Sequence, residues 1–187
     1  MEREMISPTS FVGRYGLWND EQQDAAARLV ARVRERGLRQ IRFAFADQHG
    51  VLRGKTITAA SLEEFLLSGC GMASTLLLKD TSHRTVYPVW QRGAAGISGM
   101  SGAADFLLVA DPLTFRELPW AESTGWVLCD AYDPQGAPIF CSTRWIARRA
   151  LARLAEKGFG YVAGLEIELH IFRMTDPRLR LEDAGQP

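Results

Sequence analysis

Nine residues, Gly164-Leu165-Glu166-Ile167-Glu168-Leu169-His170-Ile171-Phe172, alternate apolar and polar side chains almost without a break. A β-strand sends successive side chains to opposite faces. The pattern therefore predicts a strand with Leu165, Ile167, Leu169 and Ile171 on one face and Glu166, Glu168 and His170 in a row on the other. Same-face neighbours along a strand stand about 6.5–7 Å apart. That spacing suits two carboxylates that each serve a different divalent cation around one shared phosphate, rather than both gripping one ion. Carboxylate oxygens favour hard ions such as Mg²⁺ or Mn²⁺. A half-buried strand with a solvated, charged face would show the same alternation, so the pattern alone leaves both readings open.

Upstream, residues 1–18 have no sustained periodicity and are interrupted by Pro8, Gly13 and Gly16, which predicts a flexible, loosely docked lead-in. Asn19 or Asp20 then caps a helix to about Arg36, with Ala25, Leu29 and Val33 as its apolar stripe and Gly37 as its stop. Ile41–Asp47 and Val51–Ile57 alternate around the turn Gln48-His49-Gly50 and predict a hairpin. Ser61 opens a short helix from Leu62 to Leu67, with Glu64 as a capping-box partner. Gln91–Gly102, rich in Gly, Ala and Ser, has little to bury and predicts a mobile surface loop. Strands follow at Asp105–Ala110 and Gly125–Tyr132, the second ended by the turn Asp133-Pro134-Gln135-Gly136. Ser142 caps a helix to Lys157 with Ile146, Ala150, Leu151 and Leu154 facing inward, and Gly158 leads into the Glu166 strand.

This order predicts an α+β arrangement: a lead-in over 1–18, a mixed-sheet domain over 19–140, and the opening of a second unit over 141–187. One helix and one strand cannot close a core, so the second unit reads as incomplete and the chain as too short to act alone.

Composition narrows the function. Lys+Arg and Asp+Glu balance at 22 each, so no global field argues for nucleic acid or an anionic membrane. Cys70, Cys129 and Cys141 are odd in number and contain no CxxC, which fits neither a disulfide framework nor a zinc site and predicts a reducing cytoplasm. No apolar run reaches the roughly 18–20 residues of a membrane span, and the start lacks a secretory pattern. The expectation is a soluble, cytoplasmic protein.

Several segments, in order, resemble one family. The hairpin Phe45–Lys55, the run Asp105–Trp120 with its acidic-Pro, Thr and Pro-aromatic pattern, and Val127–Asp130 followed by Gly136, Pro138 and Ser142-Thr143-Arg144 each match weakly alone. Together with the Gly-x-Glu-x-Glu run at Gly164–Leu169, they resemble the amino-terminal part of the glutamine synthetase family over roughly residues 38–175. The resemblance implies a β-grasp-like mixed-sheet domain followed by the first helix and strand of a glutamine synthetase-type catalytic domain. It implies an ATP-dependent ligase in which ATP phosphorylates the γ-carboxylate of glutamate and ammonia or an amine displaces the phosphate. Glu166 and Glu168 would be ligands to Mg²⁺ or Mn²⁺, with Glu166 also counted as cofactor-binding at the foot of the ATP site. Asp105 would be a catalytic acidic residue lent to a neighbouring subunit, in a homo-oligomer with active sites between subunits. His170 reads as an ordinary strand histidine outside the ligand pattern.

One departure from the family bears on the nucleophile. A second loop acid, which would hold and deprotonate ammonium, is expected near Met72-Ala73-Ser74-Thr75. No acid stands there, and Asp80 is the nearest. A γ-glutamyl-polyamine or other γ-glutamyl-amine ligase is therefore an alternative, as is a non-catalytic β-grasp module. Arg144 reads as a structural salt bridge, Trp90, Trp120 and Trp126 as core or interface anchors, and Lys55 as a solvated hairpin residue.

Overall fold

Asn19 and Gln22 start the longest helix by a reciprocal exchange. The Asn19 side chain accepts from the Gln22 amide at 2.9 Å, and the Gln22 side chain accepts from the Asn19 amide at 3.2 Å. The computed structural model describes residues 6–91, 104–173 and 178. Within them, α1 (Phe11–Tyr15) precedes this helix, α2 (Asp20–Glu35), which ends before Gly37 at φ +60°. The hairpin β1 (Gln40–Ala46) and β2 (Leu52–Thr58) follows, then α3 (Leu62–Ser68), β3 (Cys70–Ala73), β4 (Asp105–Ala110), β5 (Arg116–Glu117), β6 (Thr124–Tyr132) and α4 (Thr143–Glu156).

The strands make one mixed sheet in the order β2-β1-β6-β4-β3, with β5 also paired to β6. Strand β6 organises it. Its first half runs parallel to β1, from Gln40↔Thr124 to Ala44↔Leu128, and antiparallel to β5; its second half pairs antiparallel with β4, from Leu107↔Tyr132 to Ala110↔Cys129. Between β4 and β5 the ladder would break at Leu128. Asp111 donates its amide to the Leu128 carbonyl at 2.8 Å, and the Thr114 hydroxyl accepts the Leu128 amide at 2.9 Å. A side chain thus completes the pairing that a buried strand requires.

The inward faces of these strands, with Ile41, Phe43, Phe45, Phe106, Leu108 and Val127, share one core with α1, α2 and α3. Helix α2 buries Ala25, Ala26, Leu29, Val30 and Val33; full burial of a Leu or Val side chain is worth about 1.5–3 kcal/mol. The expected stripe and hairpin are present. Opposite them, the Lys55 ammonium of edge strand β2 reaches the Gly71 carbonyl of edge strand β3 at 2.5 Å, so Lys55 links the two ends of the sheet rather than only facing water.

Several expectations need correction. Residues 6–18 are not a loose lead-in: Ser10 caps α1, Val12 and Trp18 are buried, and the Trp18 indole donates to the Ala110 carbonyl at 2.9 Å. Two large apolar side chains fix a segment whose own pattern is too short to read. Ser61 makes no capping hydrogen bond to α3. Strand β3, which the sequence reading does not include, forms because β4 offers it a partner.

The largest difference concerns the Glu166 segment. Residues 159–173 carry neither helix nor strand, and Leu165, Ile167, Leu169 and Ile171 are all exposed. A strand exists by pairing, and no ladder among the described residues includes this run. Likewise α4 buries none of its side chains, and Ile146, Ala150 and Leu151 face solvent. The loop expected over 91–102 lies, apart from Gln91, outside the described residues. No helix among the described residues is long and apolar enough to cross a membrane.

Candidate functional site

The structure does not bring the three expected site residues together. Asp105 is exposed at the start of β4, opposite Ala73 on β3. Glu166 and Glu168 are exposed in the run after α4, with no ion-pair or hydrogen-bond partner among the described residues. His170, two residues on, stacks on Phe172 with ring centroids 6.0 Å apart. Among the described residues no group of three or more His, Cys, Asp or Glu side chains converges as a metal site. The donor chemistry of Glu166 and Glu168 fits a hard cation, but as two carboxylates of a larger ligand set.

The nearby loop positions are also defined. Met72 and Ser74 are buried, and the Ser74 hydroxyl has no hydrogen-bond partner among the described residues. Asp80 spends one carboxylate oxygen on the Arg84 amide at 2.8 Å, closing its own turn. Trp90 and Trp120 are not core anchors; both are largely exposed. Trp120, Trp126, Leu52, Ala44 and Arg42 line a groove of about 530 Å³ on the outer face of β1, β2 and β6.

The strongest electrostatic feature is a cluster of two aspartates and two arginines. Asp111 ends β4 and Asp130 sits on β6, both buried. Arg144 and Arg148 lie one turn apart on α4. Arg148 bonds Asp111 and Asp130 at 2.6 Å each; Arg144 bonds Asp111 and lies 3.6 Å from Asp130. Gln22 of α2 donates to the remaining Asp111 oxygen at 3.1 Å. Burial pushes the Asp130 carboxyl up, and the two arginines only partly offset it. The charges cancel within the cluster, so it is a clamp. It ties α4 to the sheet by ion pairs in place of the apolar area that α2 uses.

The Arg144 salt bridge is as expected. Sequence reasoning missed Asp111, Asp130 and Arg148, although the i, i+4 spacing of two arginines on one helix was a usable signal. A second buried pair was also missed. The Arg53 guanidinium meets Asp47 at 2.7 Å in the β1–β2 turn. Burial raises the Asp47 carboxyl, but hydrogen bonds from Arg53 and from the His49 and Val51 amides outweigh it and hold the group below the usual carboxylate range.

No protein-family model matches the chain. Its curated relatives include a gamma-glutamylanilide synthase of Acinetobacter sp, 32% identical over 187 residues that make up 98% of this chain and 37% of the relative. They include the gamma-glutamylethanolamide synthetase GlnA4 of Streptomyces coelicolor, 38% identical over 133 residues, 71% of this chain and 28% of the relative. They also include a glutamine synthetase of Methanosarcina mazei, 30% identical over 161 residues, 82% of this chain and 32% of the relative. Among solved structures, a GmaS/ADP complex superposes with a TM-score of 0.53 at 27% identity, covering 69% of this chain and 26% of that one. The chain spans about a third of the length of the curated relatives it matches. The likeness runs through nearly the whole chain in sequence and through most of it in fold, and the chain belongs to the glutamine synthetase family.

Proposed function

We propose that these residues are part of a glutamine synthetase-type, ATP-dependent ligase that joins the γ-carboxylate of glutamate to ammonia or an amine through a γ-glutamyl phosphate. The observation that carries this reading is the Gly164–Leu169 run, which holds Glu166 and Glu168 exposed and unpaired within a chain similar to a γ-glutamyl ligase over 98% of its length. On this reading residues 19–140 are a β-grasp domain and 141–187 open the catalytic domain, in a cytoplasmic homo-oligomer with active sites between subunits.

Glu166 and Glu168 would hold Mg²⁺ or Mn²⁺, Glu166 on the ATP side. Bound there, such ions neutralise charge on two crowded anions and align the transfer. The alternation would set the two carboxylates on one face, about 6.5–7 Å apart, once this run pairs as a strand. Asp105, exposed at the rim of the sheet, stands free to reach a neighbouring subunit's site.

A second reading, an amine in place of ammonia, is favoured by the end of β3 and the residues that follow it. Residues 72–75 contain no acid, and Asp80 is committed to its own turn. An ammonium ion needs an anion to bind it and take its proton. An amine of low basicity, such as an arylamine, is neutral at pH 7 and needs neither. Two of the relatives are named for anilide and ethanolamide products.

The test is ADP release by the full-length protein with glutamate and a panel of ammonia, alkylamines, diamines and an arylamine. The ligase reading predicts ADP release that Glu166→Ala abolishes; it fails if the protein binds neither Mn²⁺ nor ATP, which leaves a non-catalytic module, or if Glu166→Ala releases ADP unchanged. Ammonia outperforming every amine removes the second reading alone.

A further inference from the structure

The segment 79–86 folds back on itself and is fastened to the β1–β2 turn. Lys79 pairs with Thr85, the Asp80 amide donates to Arg84, and the Val86 amide donates to Leu78. Three side chains reach across from the hairpin. Gln48 and His49 both donate to the Lys79 carbonyl, at 2.7 and 2.9 Å, and Arg53 Nη1 lies 2.9 Å from Nδ1 of His83.

We propose that this fastening is a pH-sensitive latch, closed by Arg53 on neutral His83 and opened when His83 takes up a proton. The proposal is independent of the ligase reading. A guanidinium has donors only, so Nδ1 of His83 must accept, which requires a neutral ring with its proton on Nε2. Protonation places an N–H on Nδ1, removes the acceptor, and sets two cations against each other.

His83 itself is exposed, so solvent screens the repulsion and the lost Nδ1 acceptor is what opens the contact. Arg53 is 14% exposed at its side chain and is pinned by Asp47 through Nε. Both Asp47 oxygens are in use, one on Arg53 and the other on the His49 and Val51 amides. Lys79 and Arg84 add positive charge to the same segment, and its one acid, Asp80, has an oxygen on the Arg84 amide. His49 is not the sensor, because it donates to a carbonyl and does so in either protonation state. His83 also sits at φ +62°, a left-handed conformation uncommon for a residue other than glycine, so release lets the backbone relax.

Hydrogen exchange of this chain between pH 8 and 5, corrected for the intrinsic rate, tests the latch. Across that interval, protection of the Arg84 and Val86 amides should fall about tenfold, the worth of one such hydrogen bond, while β1 amides hold. His83→Gln, which keeps an acceptor that cannot protonate, should flatten the profile, and His49→Gln should leave it. A flat parent profile, an equal fall in β1, an unchanged fall in His83→Gln, or its loss in His49→Gln overturns the proposal.

Discussion

Arg148 of α4 and Asp111 at the end of β4 meet at 2.6 Å, 37 positions apart in the chain. This contact and its twin on Asp130 hold a helix that buries none of its own side chains. Arg148→Ala should therefore loosen α4 selectively. Its side chain is 45% exposed, so screening limits the loss to about 1–2 kcal/mol. Hydrogen exchange should show α4 opening more readily while β1 and β6 keep their protection. Equal losses in helix and sheet would mean that α4 is held by something else.

Two of the buried aspartates, Asp130 and Asp47, predict opposite pH slopes. The folded-state pKa of Asp130 is raised, first by burial, so its contribution is fully present below the unfolded value near 3.9 and is lost as pH rises through the folded value. Asp130→Asn should gain on the parent as pH climbs from about 4, and the gap should then level off. The Asp47 carboxyl is also raised by burial, but Arg53 and two amides bring it down overall. Its contribution is present above about 3.9 and is lost as pH falls through the folded value, so Asp47→Asn should instead fall behind as pH rises. Urea midpoints of both variants against the parent from pH 3.5 to 7 decide the matter, and slopes of the same sign would contradict it.

Gly54 is fixed by a close approach. A Cβ there would stand 1.8 Å from the Phe43 carbonyl oxygen, in the hairpin partner itself. Backbone cannot yield as a side chain can, so Gly54→Ala should cost more than about 3 kcal/mol. At Gly160 nothing lies within 4 Å, and Gly160→Ala should change stability by less than about 0.5 kcal/mol. Thermal midpoints of the pair make the comparison.

Glu166 and Glu168 offer two donors where a hard cation takes six or more. Millimolar Mn²⁺ should raise the melting temperature of this chain by less than about one degree, since ligand stabilisation scales with the logarithm of occupancy. A large shift abolished by Glu166→Ala would show that the chain completes a site by itself.

What could be read from the sequence was mostly what neighbours in sequence decide. The α2 cap at Asn19, the Gly37 stop and the β1–β2 turn all follow from contacts a few residues long. So does β4, a continuous apolar run followed by Asp111-Pro112. What escaped depends on distant partners. Val12 and Trp18 dock because a core exists to receive them. Cys70–Ala73 becomes a strand because β4 lies alongside, and Gly164–Phe172 does not because no described strand does. The clamp was half legible. Arg144 could be read as a salt bridge, but its two aspartates come from strand ends that only the sheet brings together. Glu166 and Glu168 were legible as a motif and are not assembled into a site here.

The position of β6 sets the order in which the protein can come into being. A ribosome makes β1, β2, β3 and β4 before it reaches residue 124, yet among the described residues β1 and β4 share no ladder, and each pairs with β6. Until then the emerging polypeptide can close its hairpin, a local event, but it has two half-sheets and no common floor for the helices. The distant pairing must be made late, against the entropy of closing a loop of roughly 80 residues. A translation pause or truncation before that point would leave apolar strand faces without their partner until the nine residues of β6 are free to pair.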